Sequence, residues 1–131
     1  MALYDPITGL PDQALFGDRL RQSMARADRR RGALAVLVID PGVLDNDDAV
    51  RKAGAALSER VRATDTVARL DGRQFAVIQT DLDRADEAAF LAQKLLDGLG
   101  SAAAVGIALY PDDSRDAEAL AALAGDALAA A

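Results

Sequence analysis

Between Pro11 and Gly32 the apolar side chains Phe16, Leu20 and Met24 recur at i, i+4 spacing, which predicts a helix with one buried face. Pro11-Asp12 opens this segment and Arg29-Arg30-Arg31-Gly32 closes it; a basic cluster there suits the negative end of the helix dipole. The pattern then changes. Ala33 to Ile39 is almost wholly apolar, as expected of a central strand covered on both faces, and it stops at Asp40-Pro41-Gly42. Helical spacing returns from Asp47 to Arg62, with Val50, Ala53, Leu57 and Val61 on one stripe. Thr66 to Leu70 and Gln74 to Ile78 are strand-like runs around Asp71-Gly72, a hairpin signal. A third helix is predicted over 85–99, with Ala88, Leu91, Leu95 and Leu99 facing inward. A strand over 103–109, a turn at Tyr110-Pro111-Asp112-Asp113 and a helix over 117–130 complete the series.

After the first helix, this order is that of an α/β (α+β) domain with a ferredoxin-like split βαβ core, an antiparallel sheet and one extra helix at each end. Right-handed crossovers give the strand order 4-1-3-2. The first strand then ends where the hairpin turns, so Asp40 is expected beside Asp71, Gly72 and Arg73. Arg62 and Asp65 are expected at the opposite edge, about 17 Å away at strand spacing. Two separate candidate sites follow.

Composition narrows the chemistry. The chain has 131 residues, 51% of them apolar, enough for one domain over 1–131 with its own core. It has neither cysteine nor histidine, which excludes disulfides, thiolate nucleophiles and the usual zinc ligands. A bound metal would need oxygen ligands. A net charge of −6 argues against nucleic acid and anionic membrane as partners. No apolar run reaches the roughly 20 residues of a membrane span, and Met1-Ala2-Leu3-Tyr4-Asp5 lacks signal-peptide features, so the expectation is a cytoplasmic domain without membrane contact. The abrupt start and the alanine-rich end, Ala129-Ala130-Ala131, suit a domain cut from a longer multidomain protein. Asp45, Asp47 and Asp48 lack the glycine and distal glutamate of a calcium loop and read as a solvated helix start.

Four segments in order resemble the GGDEF, or diguanylate cyclase-like, family. Asp5-Pro6-Ile7-Thr8-Gly9-Leu10-Pro11-Asp12 is similar to its opening D-x-L-T-G-L-x-N-R, with Gln13 at the usual arginine. Arg62-Ala63-Thr64-Asp65 is similar to its R-x-x-D motif, and Asp71-Gly72-Arg73-Gln74-Phe75 to the GGDEF hairpin five residues later. Gly106-Ile107-Ala108-Leu109-Tyr110-Pro111-Asp112-Asp113 resembles the late S-I-G-I-A strand and turn, often seen where an EAL domain follows.

The resemblance implies cyclase chemistry carried by two carboxylates that hold magnesium on GTP, where attack on the α-phosphate develops negative charge. Asp40 matches the first carboxylate. Arg73 stands at the second, Gln74 replaces the following glutamate, and Asp71 replaces the first glycine, where backbone passes close to phosphate. The loop after Asp40 is shortened to Pro41-Gly42-Val43-Leu44-Asp45-Asn46, without the guanine-reading asparagine; Asp48 matches a later aspartate. The phosphate-contacting lysine of the family's final segment has no match at Ala129-Ala130-Ala131. The expectation is a degenerate member with no catalytic residues, no metal and no cofactor, and with Asp40 paired to Arg73 in a structural role.

Two readings of Arg62 and Asp65 stay open. One is a helix-end arginine with a turn aspartate. The other is the family's inhibitory site for cyclic di-GMP, where guanidinium grips phosphate or guanine acceptors and carboxylate takes guanine N–H groups. Arg84 is the candidate for the further arginine that the family's site recruits from a neighbour. The leading expectation is therefore an inactive regulatory or interaction domain of cyclic di-GMP signalling, adjoining an EAL or sensor domain, contacting another signalling protein or forming a homodimer. The alternatives are a sensor of cyclic di-GMP or a guanine nucleotide through Arg62 and Asp65, and a residual cyclase.

Overall fold

A computed structural model describes residues 3–130; Met1, Ala2 and Ala131, on which the readings of the two chain ends partly fell, lie outside the described residues. The elements run α1 (Gln13–Arg30), β1 (Ala33–Asp40), α2 (Asp47–Ser58), β2 (Thr66–Arg69), β3 (Phe75–Leu82), α3 (Asp86–Leu99), β4 (Ala104–Tyr110) and α4 (Ala117–Ala130). The sheet order is β2-β3-β1-β4 with every pair antiparallel, the order 4-1-3-2 read from its other edge.

β1 is central, and its six inner residues Leu34 to Ile39 are buried, as the unbroken apolar run requires. Alternate side chains go to opposite faces. Leu34, Val36 and Val38 join Phe16, Leu20 and Met24 of α1 and Leu120, Ala124 and Leu128 of α4 in one core. Ala35, Leu37 and Ile39 join Val50 and Leu57 of α2 and Leu91 and Leu95 of α3 in the other. α4 lies so close to β4 that a Cβ on Gly106 would sit 2.2 Å from the Ala124 carbonyl oxygen and from the Leu128 nitrogen.

The helix ends follow local chemistry. Asp12 caps α1 by accepting the Leu15 N–H at 2.9 Å, and Asn46 caps α2 by accepting that of Ala49 at 2.8 Å. At the far end of α1 the left-handed residue is Arg31, at φ 51°, one position before the glycine that marks the stop in the sequence. The N–H groups of Arg31 and Gly32 return to the carbonyls of Asp28 and Ala27, closing the helix as a glycine C-cap would.

Two boundaries differ from the periodicity. The stripe through Val61 predicts α2 to Arg62, whereas the helix stops at Ser58. There the Arg60 guanidinium donates to the Ala56 carbonyl at 2.8 Å and the Asp65 carboxylate accepts the Arg62 N–H at 3.0 Å, so side chains satisfy backbone groups that another helical turn would have used. β3 continues to Leu82, four residues past the predicted end, because β1 pairs with it as far as Ala33 opposite Leu82.

Candidate functional site

The antiparallel pairing of Ile39 with Phe75 brings the end of β1 to the hairpin. Asp40 follows Ile39, and its Oδ1 lies 3.5 Å from Arg73 Nε while also accepting the Gly42 N–H at 2.9 Å. The carboxylate thus holds the guanidinium and ties the turn after β1. Gly42, at φ +89°, packs against Ala102, whose Cβ would be 3.0 Å from a Cβ added there, so the short loop is pressed onto the segment before β4.

The other hairpin residues divide by role. Gly72 takes φ +75°, the left-handed position of the turn. The Asp71 N–H donates to Gln13 Oε1 at 3.0 Å, fastening the hairpin to the start of α1. Phe75 is fully buried in the α2/α3 core and belongs to packing. Between the short loop and the hairpin lies a cavity of about 160 Å³ lined by Val43, Leu44, Val50, Arg69, Arg73 and Phe75. With a cation at the position of the second carboxylate, the donor set does not fit magnesium, and among the described residues no three acidic side chains converge as metal ligands.

A second ion pair, between segments far apart in sequence, supports this edge. Arg69 of β2 places Nη1 3.0 Å from Asp5 Oδ1, and both side chains are largely buried. Burial by itself raises the Asp5 pKa. The hydrogen bonds from the Thr8 hydroxyl and backbone, with the Arg69 guanidinium, outweigh it and hold the carboxyl below its ordinary range.

At the opposite edge, five residues along β3, the Asp65 side chain is 2% exposed and both its carboxylate oxygens are engaged. Oδ1 accepts the Thr80 N–H at 3.0 Å and the Thr80 hydroxyl at 3.3 Å, and Oδ2 accepts the Arg62 N–H at 3.0 Å. Arg62 Nε stands 3.5 Å from the same carboxylate, and its Nη2 donates to the Thr80 carbonyl, yet the side chain stays 55% exposed. Since α2 ends at Ser58, Arg62 lies in the turn before β2; the helix-end reading of this arginine is corrected accordingly.

Beside Arg62 is a cavity of about 280 Å³ whose walls include Arg60, Gln79, Phe90 and Lys94. Sequence reasoning missed all four, although Phe90, at 63% exposure an unpaired aromatic on the polar side of α3, is a visible signal. Gln79 Oε1 is buried without a partner among the described residues. Glu87 also borders the cavity; the backbone N–H groups of Arg84 and Asp83 lower its pKa by donating to its carboxylate. Arg84 itself pairs with Asp86 at 2.9 Å and is not part of the cavity wall.

Comparisons with known proteins match the fold. The family model described as "Diguanylate cyclase, GGDEF domain" covers residues 2–131. The chain belongs to the GGDEF family. This GGDEF domain is 34% identical, over 88% of its length, to the bifunctional diguanylate cyclase/cyclic di-GMP phosphodiesterase MucR of Pseudomonas aeruginosa. It is 36% identical, over 98% of its length, to the cyclic di-GMP phosphodiesterase NbdA of the same organism. The chain spans about a fifth of each relative, 20% of MucR and 19% of NbdA. Among solved structures, a sensory box/GGDEF family protein of Caulobacter crescentus superposes with a TM-score of 0.89 at 32% identity, covering 99% of this chain and 97% of that one. The isolated GGDEF domain of Pseudomonas aeruginosa TpbB superposes with a TM-score of 0.88 at 29% identity, covering 98% and 87%. No described helix is long and apolar enough to cross a membrane.

Proposed function

We propose that this GGDEF domain is non-catalytic and serves cyclic di-GMP signalling as a regulatory or scaffolding module, in contact with an adjoining EAL-type or sensor domain or with another signalling protein. The observation that carries this reading is the Arg73–Asp40 ion pair. Where an active cyclase holds a divalent cation between two carboxylates, this chain holds its own guanidinium on the one carboxylate left. A metal ion entering beside Arg73 meets a like charge in place of a ligand, and must also compete with that guanidinium for the Asp40 carboxylate. A relative named solely as a phosphodiesterase, NbdA, fits the same reading. Incubation with GTP and magnesium or manganese, followed by nucleotide chromatography, is the test; cyclic di-GMP above a boiled control overturns it.

A second reading rests on the exposed guanidinium of Arg62. With Arg60 and Lys94 as further cations and Phe90 as an aromatic surface, the adjacent cavity offers the chemistry of an anionic, aromatic ligand such as cyclic di-GMP. The Asp65 carboxylate would act there by holding Arg62, since its oxygens already serve Thr80 and the Arg62 backbone. Calorimetric titration with cyclic di-GMP separates this sensor from a pure interaction module.

A further inference from the structure

We infer that Gln79 selects the base bound in the cavity beside Arg62, its buried amide oxygen accepting an N–H of guanine. The inference rests on the reading of that cavity as a cyclic di-GMP sensor, and adds which side chain tells guanine from adenine.

Gln79 stands where the sheet pattern calls for an apolar residue. Along β3 it shares a face with Phe75 and Val77, and it lies opposite Ala35 of β1; these three neighbours belong to the core under α2 and α3. At 8% exposure it is one of two buried polar residues among those described, the other being Thr80. Thr80 is satisfied, since its N–H and hydroxyl donate to Asp65 and its carbonyl accepts from Arg62. Gln79 is satisfied at one end only. Its Nε2 donates to the Glu87 carbonyl at 3.3 Å, and because a carbonyl only accepts, the nitrogen is the end of the amide that faces it. That leaves Oε1 as the one buried side-chain oxygen or nitrogen without a partner among the described residues. A leucine would fill this position without an unpaired acceptor, so the oxygen calls for a donor.

The surroundings decide what carries that donor. Gln79 lines the cavity of about 280 Å³, to which α3 brings Glu87, Phe90, Leu91 and Lys94 at i, i+3, i+4 and i+7. The largely exposed Phe90 ring offers a face on which a base stacks. Arg60, Arg62 and Lys94 set three positive charges there against Asp65 and Glu87, on a chain of net charge −6. Both carboxylates already accept backbone N–H groups, which leaves the acceptor's place to Gln79. An anionic ligand with a flat base fits this set. Guanine presents N–H donors at N1 and N2 to an amide oxygen, and acceptors at O6 and N7 to a guanidinium. Adenine has an amino group in place of O6 and an unprotonated N1, which oppose the guanidinium and the amide oxygen in turn.

Calorimetric titration of the wild type, Gln79→Leu and Phe90→Ala with cyclic di-GMP and cyclic di-AMP, with a thermal melt of each, tests this. The wild type is expected to bind cyclic di-GMP tighter than cyclic di-AMP by about tenfold or more. Gln79→Leu should weaken cyclic di-GMP by about tenfold, leave cyclic di-AMP unmoved, and melt no lower than the wild type, because an unpaired buried oxygen is removed. Phe90→Ala, at an exposed position, should weaken both ligands by about fivefold or more, since stacking does not read the base. A wild type that binds neither dinucleotide overturns the sensor reading and this inference with it. A wild type that binds both equally, or a Gln79→Leu variant that binds cyclic di-GMP as the wild type does, overturns the inference and leaves the sensor reading standing. So does a Gln79→Leu variant that melts lower and loses both ligands alike, which would make Gln79 a structural residue.

Discussion

Asp65 accepts the backbone N–H of Thr80 at 3.0 Å, joining the turn before β2 to the far end of β3. Its carboxylate is buried, so removing it leaves a buried donor unsatisfied. Asp65→Ala is expected to lower unfolding stability by about 1–3 kcal/mol, whatever the domain binds, and denaturant melts will measure it. An unchanged melt would place the Asp65 carboxylate outside the structural core.

Arg62→Ala separates the two readings of the same motif. If the exposed guanidinium holds cyclic di-GMP, its loss weakens binding by about 1.5–3 kcal/mol, the range for hydrogen bonds to charged groups. GTP binds more weakly than cyclic di-GMP, because the hairpin has no metal to screen a triphosphate. No heat from wild-type protein with cyclic di-GMP, at concentrations far above micromolar, leaves the pair as a turn-stabilising contact.

At the hairpin, Arg73→Glu with Gln74→Glu restores the family's carboxylates but not the long loop after β1. The double variant is expected to remain far below an active cyclase in GTP turnover by chromatography. Full activity would show that the two side chains alone silence the domain.

The Asp5–Arg69 pair predicts a pH effect. The Asp5 pKa is lowered in the fold from its ordinary value of 3.8, so the pair's contribution is present above that value and is lost as pH falls through the lower folded value. Asp5→Asn is expected to cost about 1.5–3 kcal/mol near neutral pH, the range for hydrogen bonds to a charged group. The gap between wild type and variant should begin to narrow below pH about 3.8 and close as pH falls through the lower folded value. A gap independent of pH would remove the ion pair from the explanation.

Gly106→Ala places a methyl group within 2.2 Å of the α4 backbone, where no rotamer change relieves it. We expect a loss of about 1–3 kcal/mol or more, the cost of overpacking, read as a lower melting temperature with α4 displaced from β4.

Local pattern determined much of this protein. The apolar run 33–39 read as a covered strand, the i, i+4 series of Phe16, Leu20 and Met24 oriented α1, and Asp71-Gly72 marked the hairpin. Connection rules then ordered the sheet and set Asp40 beside Arg73. Tertiary structure decided the rest, because those contacts depend on register between segments that periodicity treats separately. It turned Asp65 inward onto Thr80, ended α2 at Ser58, joined Asp5 to Arg69 across 64 residues, and gathered Arg60, Phe90 and Lys94 beside Arg62. Burial and hydrogen bonding across the sheet select the Asp65–Thr80 and Asp5–Arg69 contacts, whose partners lie 15 and 64 residues apart, beyond the reach of any local pattern.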